Sequence, residues 1–140
     1  MSGAIAYVPG MADAPNDLRY TDRDLWVRPG DTLVTVGITQ VAADRLGAIG
    51  FAELPYPGEL FKSGERVGSL SGQAGSVTLL MPFLGQINAV NQALSDAPGV
   101  INSDPYGDGW ILRVEPGDPA EVEALMDAAE YVAFSSSQDG

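Results

Sequence analysis

The chain has 140 residues, the length of a single domain, and 45% of them are hydrophobic, which is enough to bury a core. It contains no histidine and no cysteine, so disulfides, thiol nucleophiles, histidine bases and the common zinc sites are excluded. Nineteen acids against seven bases give a net charge of −12, which repels nucleic acid and anionic membranes.

What remains for chemistry is carboxylates, hydroxyls, six arginines and one lysine, Lys62. No base follows Arg113, whereas Glu115, Asp118, Glu121, Glu123, Asp127, Glu130 and Asp139 do. Such a run reads first as a solvated face and second as a docking surface for a basic partner. No apolar run approaches the roughly 18 residues of a membrane helix, and the first twenty residues lack the basic start of a signal peptide. A cytoplasmic location is the expectation.

Residues 1–19 are rich in Gly, Ala, Pro and Asn without a period, and read as a flexible arm. Leu25-Trp26-Val27 and Thr32-Leu33-Val34-Thr35-Val36 flank Pro29-Gly30-Asp31, a hairpin pattern. Thr39 is placed to cap a short helix that ends near Gly47. Strands are expected over Ile49–Leu54, Arg66–Leu70 and Ser76–Met81, the last two joined at the tip Ser71-Gly72-Gln73-Ala74-Gly75. Further strands are expected at Gln86–Val90 and Trp110–Val114, with a turn-rich loop over Asn102–Gly109. Asp118-Pro119 with Glu121 signals a helix start, and Val122, Leu125, Met126 and Ala129 continue one apolar stripe. A second capping pattern, Asp127 to Glu130, precedes Tyr131 and Phe134. The sum is a mainly β domain with short helices (α+β), built of two small packed sheets and a C-terminal helix. The domain is expected over 20–134, with a tail over 135–140.

Several clusters fail as chemistry. Asp104 and Asp108 miss the calcium-loop pattern, because the closing glutamate position falls on Arg113. Asp22 and Asp24 around Arg23 read as a surface ion network. Gly72-x-x-Gly75 has too few glycines for a phosphate loop. Ser69, Ser71 and Ser76 have no base other than the distant Lys62. Trp26 and Trp110 read as core. No catalytic residue, metal ligand or enzyme activity is indicated.

Certain blocks nevertheless recur together: Tyr20-Thr21 with Trp26-Val27, Val36-Gly37-Ile38-Thr39, and Leu46-Gly47-Ala48-Ile49-Gly50-Phe51-Ala52-Glu53-Leu54-Pro55. They continue as Asn102-Ser103-Asp104-Pro105-Tyr106-Gly107-Asp108-Gly109-Trp110, then Asp118-Pro119-Ala120-Glu121 and Glu130-Tyr131. In this order and spacing the chain resembles the H protein of the glycine cleavage system over 20–134. The resemblance implies a barrel-sandwich hybrid. It also implies a shuttle in which a lipoyl group on a hairpin-tip lysine carries an aminomethyl unit between partner enzymes. The family tip reads Glu-Ser-Val-Lys-Ala-x-Ser, followed by Pro-x-x-Gly. Pro82-Phe83-Leu84-Gly85 fixes the register, so the glutamate position falls on Ser71 and the lysine position on Ala74. Asp24 occupies the place of a family histidine.

Alanine offers no amine to acylate. The expectation is therefore a non-lipoylated, cofactor-free accessory or regulatory protein that docks on a larger enzyme of a multicomponent system. Ser71, Gly72, Gln73, Ala74 and Gly75 are its candidate partner-binding residues, and its partner is expected to present a basic surface. The alternative is a lipoyl carrier of the glycine cleavage system with an atypical attachment site, for which Lys62 is the available amine.

Overall fold

The computed structural model describes residues 17–139 except 22 and 31, with side chains as far as 134. Most of the expected arm, the side chains of the expected tail, and Asp22 of the expected ion network lie outside the described residues.

The elements in chain order begin with β1 (Arg19–Tyr20), β2 (Leu25–Arg28), β3 (Val34–Ile38), α1 (Gln40–Leu46) and β4 (Ile49–Glu53). They continue with β5 (Leu60–Phe61), β6 (Arg66–Gly72), β7 (Gly75–Leu80), β8 (Gly85–Val90), α2 (Ala93–Asp96) and α3 (Val100–Ser103). The chain closes with β9 (Leu112–Pro116), α4 (Pro119–Glu123) and α5 (Ala128–Asp139). Six strands form one sheet in the order β1-β2-β3-β9-β8-β5, and three form the other in the order β4-β6-β7. Every pairing is antiparallel. The expected fold of two packed sheets with short helices is the fold observed.

The inward positions explain why the sheets pack. Val27, Val36, Leu112 and Val114 from the larger sheet join Val67, Leu70 and Leu79 from the smaller in one buried cluster. Burying such side chains stabilises by about 1.5–3 kcal/mol each before entropy is charged against it. Trp26 lies opposite Gly37 in the β2–β3 register, and only glycine fits there: a Cβ on Gly37 would stand 2.6 Å from the indole ring. The indole N–H donates to the Pro105 carbonyl at 2.9 Å, which ties the Asn102–Gly109 region to β2.

One element differs from expectation at the C-terminus. The apolar stripe predicts that the helix from Pro119 runs on through Leu125 and Met126, yet α4 stops at Glu123; the separate start of α5 follows the expected second capping pattern at Asp127 and Glu130. The reason is an unsatisfied edge. Tyr20 of β1 exchanges two backbone hydrogen bonds with Met126, at 2.8 and 3.0 Å, so the chain leaves the helical path to pair with the sheet. It then restarts with a reciprocal capping box, in which the Glu130 N–H donates to Asp127 and the Asp127 N–H donates to Glu130. The short β5, α2 and α3 carry no periodic signal and were not expected. Trp110 lies outside β9 and is only half-buried, with the Arg113 guanidinium 4.2 Å above its ring.

Candidate functional site

In the β6–β7 hairpin, Gly72 pairs with Gly75 and leaves Gln73-Ala74 as a two-residue turn, both side chains exposed. The turn is not free. The Gln73 N–H donates to the Ala48 carbonyl at 3.1 Å, and the Ala74 N–H donates to the Leu46 carbonyl at 2.8 Å. Gly72 permits this approach, because a Cβ there would stand 2.3 Å from the Leu46 oxygen. Gly47, at φ +70°, turns the chain out of α1 so that those carbonyls face the hairpin. Asn102 fixes the same connection from behind. Its Oδ1 accepts from the Ile49 N–H at 2.8 Å, and its Nδ2 donates to the Gly47 carbonyl at 2.8 Å.

The outer face of the smaller sheet is also uncharged towards the tip. Ser71 lies opposite Phe51 and Ser76, and Phe51 is 59% exposed. No charged residue occurs from Val67 to Ser95 in a chain of net charge −12. Further from the tip, Arg66 donates to Glu53 at 2.5 Å and holds its carboxyl below the usual range, by the hydrogen bond first and by charge second.

Lys62 stands at the opposite end of β6 from the tip. It is exposed, on a turn whose backbone is held in place: its N–H donates to Glu65 Oε1 at 2.6 Å, and the Gly64 N–H donates to the Met81 carbonyl at 2.8 Å. The next two residues, Ser63 and Gly64, border a cleft of about 480 Å³. Tyr20, Thr21 and Leu25 line the cleft on one side, and Leu125 and Met126 on another. Nothing in the sequence signals this cleft, because it forms where Met126 pairs with β1.

The remaining candidates resolve into structure. Asp24 does not sit in a surface network with Arg23: its carboxylate pairs with Arg45 at 2.7 Å and accepts from the buried Tyr131 hydroxyl. Asp104 accepts from the Asp108 backbone N–H at 2.9 Å and so closes its own loop. Ser69 donates to Glu53. Among the described residues, no three acidic, histidine or cysteine side chains gather to hold a metal, and no helix is long and apolar enough to cross a membrane.

Comparison with known proteins places this geometry in a family. The model of the glycine cleavage H-protein matches residues 18–138. A glycine cleavage system H protein of Anaeromyxobacter sp. (strain K) is 43% identical over 127 residues, covering 91% of this chain and 99% of that one. Its counterpart in Myxococcus xanthus is 44% identical over 125 residues, covering 89% and 97%. The crystal structure of a glycine cleavage system H protein from Mycobacterium marinum superposes with a TM-score of 0.77 at 39% identity, over 85% of this chain and 96% of that one. These matches overturn the expectation of a cofactor-free accessory or regulatory protein. That expectation rested on the hairpin tip, with Ser71 at the glutamate position and Ala74 at the lysine position, and on the distance of Lys62 from it, whereas the likeness runs through the whole of both sheets and favours a carrier.

Proposed function

Because the chain belongs to the glycine cleavage H-protein family, we propose that it is the carrier component of a glycine cleavage system, with its attachment point displaced from the hairpin tip. The observation that carries this reading is the match over residues 18–138, which leaves neither sheet unaccounted for. A carrier of this kind is not a catalyst; it supplies an attachment amine and a shape that its enzymes recognise.

The tip does not fit a lipoyl group. Ala74 ends in a methyl, and no amide bond can form on it. We read the chain as a divergent member that lacks the tip lysine. Lys62 is the one lysine of the sequence, and it meets the physical needs of an attachment point: an exposed amine on a firmly held turn beside an open cleft. Bound there through an amide to Nζ, the lipoyl group supplies a dithiolane for carrying an aminomethyl unit. The protein itself supplies a fixed base for the arm. Ser71, Gly72, Gln73, Ala74 and Gly75 then serve as a contact edge for the system's other components. Small uncharged residues cost little to desolvate and to order when such an edge is pressed against a larger protein.

The test is co-expression with a lipoate ligase and lipoate, followed by intact-mass measurement and peptide mapping. The expected result is one adduct on the peptide carrying Lys62, absent from Lys62→Arg. Unmodified protein that still supports glycine cleavage when combined with the system's enzymes overturns Lys62 as the attachment point and leaves the family role intact. Unmodified protein that supports no cleavage overturns the carrier reading.

A further inference from the structure

A second concavity, of about 290 Å³, lies where the β2–β3 turn meets β9 and α4, and the carrier reading makes no use of it. Its walls are apolar: Pro29 from the turn, Val34 from β3, Pro116 at the end of β9, and Pro119 and Val122 from α4. Val34 and Val122 are each only 4% exposed, so this floor is part of the packed domain and is shaped before any ligand arrives. Gly30 and the exposed Thr32 of the turn also border it, and two exposed carboxylates, Glu115 on β9 and Glu123 at the end of α4, complete the lining. Among the described residues neither has an ion-pair or hydrogen-bond partner. The base two positions before Glu115, Arg113, has its guanidinium over the Trp110 ring, and no base follows it in the sequence.

An apolar trough with two unpaired carboxylates complements an amphipathic cation, whose stem lies on the hydrocarbon and whose head meets the charge. The volume suits one side chain and falls at the lower edge of the range for small-molecule pockets, about 300–1,000 Å³. Two carboxylates from different elements favour a compact ammonium with three rotatable donors over a planar guanidinium, which matches a single carboxylate best. We propose that this concavity is a docking site for a lysine side chain presented by a partner protein. The proposal rests on the carrier reading only for the existence of a partner; the site is defined by this chain alone. The surrounding negative charge draws the lysine in, and that contribution fades as salt shortens the Debye length below about 8–10 Å.

The experiment is an NMR titration of the full chain with Nα-acetyl-lysine-N-methylamide, beside the same compound acetylated at Nε. The expected result is a saturable set of amide shifts centred on Val34, Glu115, Val122 and Glu123. The shifts shrink several-fold at high salt, with the Nε-acetylated compound, and in the Glu115→Gln/Glu123→Gln variant. Both substitutions are at exposed positions, and a retained amide spectrum establishes that the variant is folded. Equal shifts with the Nε-acetylated compound, shifts undiminished in the variant, shifts spread evenly over the acidic surface, or no saturable shifts at all would overturn the proposal. None of these outcomes depends on lipoylation, so failure here is separable from failure of the carrier reading.

Discussion

The Tyr131 hydroxyl donates to Asp24 Oδ1 at 2.7 Å, joining residues 107 positions apart in the chain. Since its single proton goes to Asp24, the 2.8 Å contact with Thr39 Oγ1 has Thr39 as the donor. Thr39 in turn accepts from the Ala42 N–H at the start of α1. One relay thus links α5, the β1–β2 turn and the cap of α1, and Arg45 neutralises its carboxylate end. Asp24 adopts φ +63°, an uncommon conformation for a residue other than glycine, and the relay holds it there.

Tyr131→Phe removes the central donor and leaves Thr39 without an acceptor in a fully buried site. The expected cost is about 1–3 kcal/mol of unfolding free energy. Urea denaturation measures it, and the Thr39→Val/Tyr131→Phe double variant should lose less than the sum of the two single changes.

Tyr131 also sets a pH limit. Burial, foremost, pushes its phenol far above the ordinary tyrosine value; the neighbouring Asp24 adds to the rise, and the Thr39 hydrogen bond works against it. A raised value in the folded state means that this contribution to stability is fully present below the unfolded pKa of about 10 and is lost as pH climbs beyond it. Thermal melts should fall more steeply above about pH 10 for the parent protein than for Tyr131→Phe.

At the tip, two positions only two residues apart should respond differently. Gly72→Ala drives a methyl into the Leu46 carbonyl and should cost about 1–3 kcal/mol. Ala74→Lys places its side chain in solvent and should change stability by no more than about 0.5 kcal/mol. Chemical denaturation of the two variants side by side checks the contrast, and an unfolded Ala74→Lys protein would contradict the exposed turn.

Asn102→Ala removes the clamp on the Gly47–Ile49 connection and leaves the Ile49 N–H and the Gly47 carbonyl without their side-chain partner. It should cost about 1–3 kcal/mol. Because that connection holds the hairpin, the Gln73 and Ala74 amides should exchange with deuterium faster than in the parent, while the Trp26 indole N–H, which is bonded to Pro105, remains protected.

The relation between sequence and structure divides along the same lines. Caps were legible because their chemistry is local: Thr39 and Asp118 each accept from a nearby backbone N–H, as their side chains and spacing predict. The restart of α5 was legible in the same way, from the Asp127 and Glu130 capping pattern, but the pairing of Met126 with β1 was not. Leu125 and Met126 keep the helical period, and only the bare edge of β1, distant in sequence, diverts them. The seating of the tip gave little local signal, since it consists of backbone bonds from Gln73 and Ala74 to Leu46 and Ala48 that those two side chains do not determine. Gly47 and Gly72 were the available signals, and their meaning depends on each other's position. For function, the altered tip, Ser71 and Ala74, speaks against a carrier, while the likeness over residues 18–138 speaks for one and covers far more of the chain.

A hairpin whose turn amides are already committed to α1 and to the connection that follows it cannot lean out to search for a surface. Recognition through that end of the molecule is therefore an encounter between preformed shapes, with no loosely tethered segment to capture a partner before the bodies align. Orientation then governs the association rate, which for such rigid pairs falls at about 10⁵–10⁷ M⁻¹s⁻¹. Whatever reach the protein has must come from a side chain or its appendage, moving against a stationary platform.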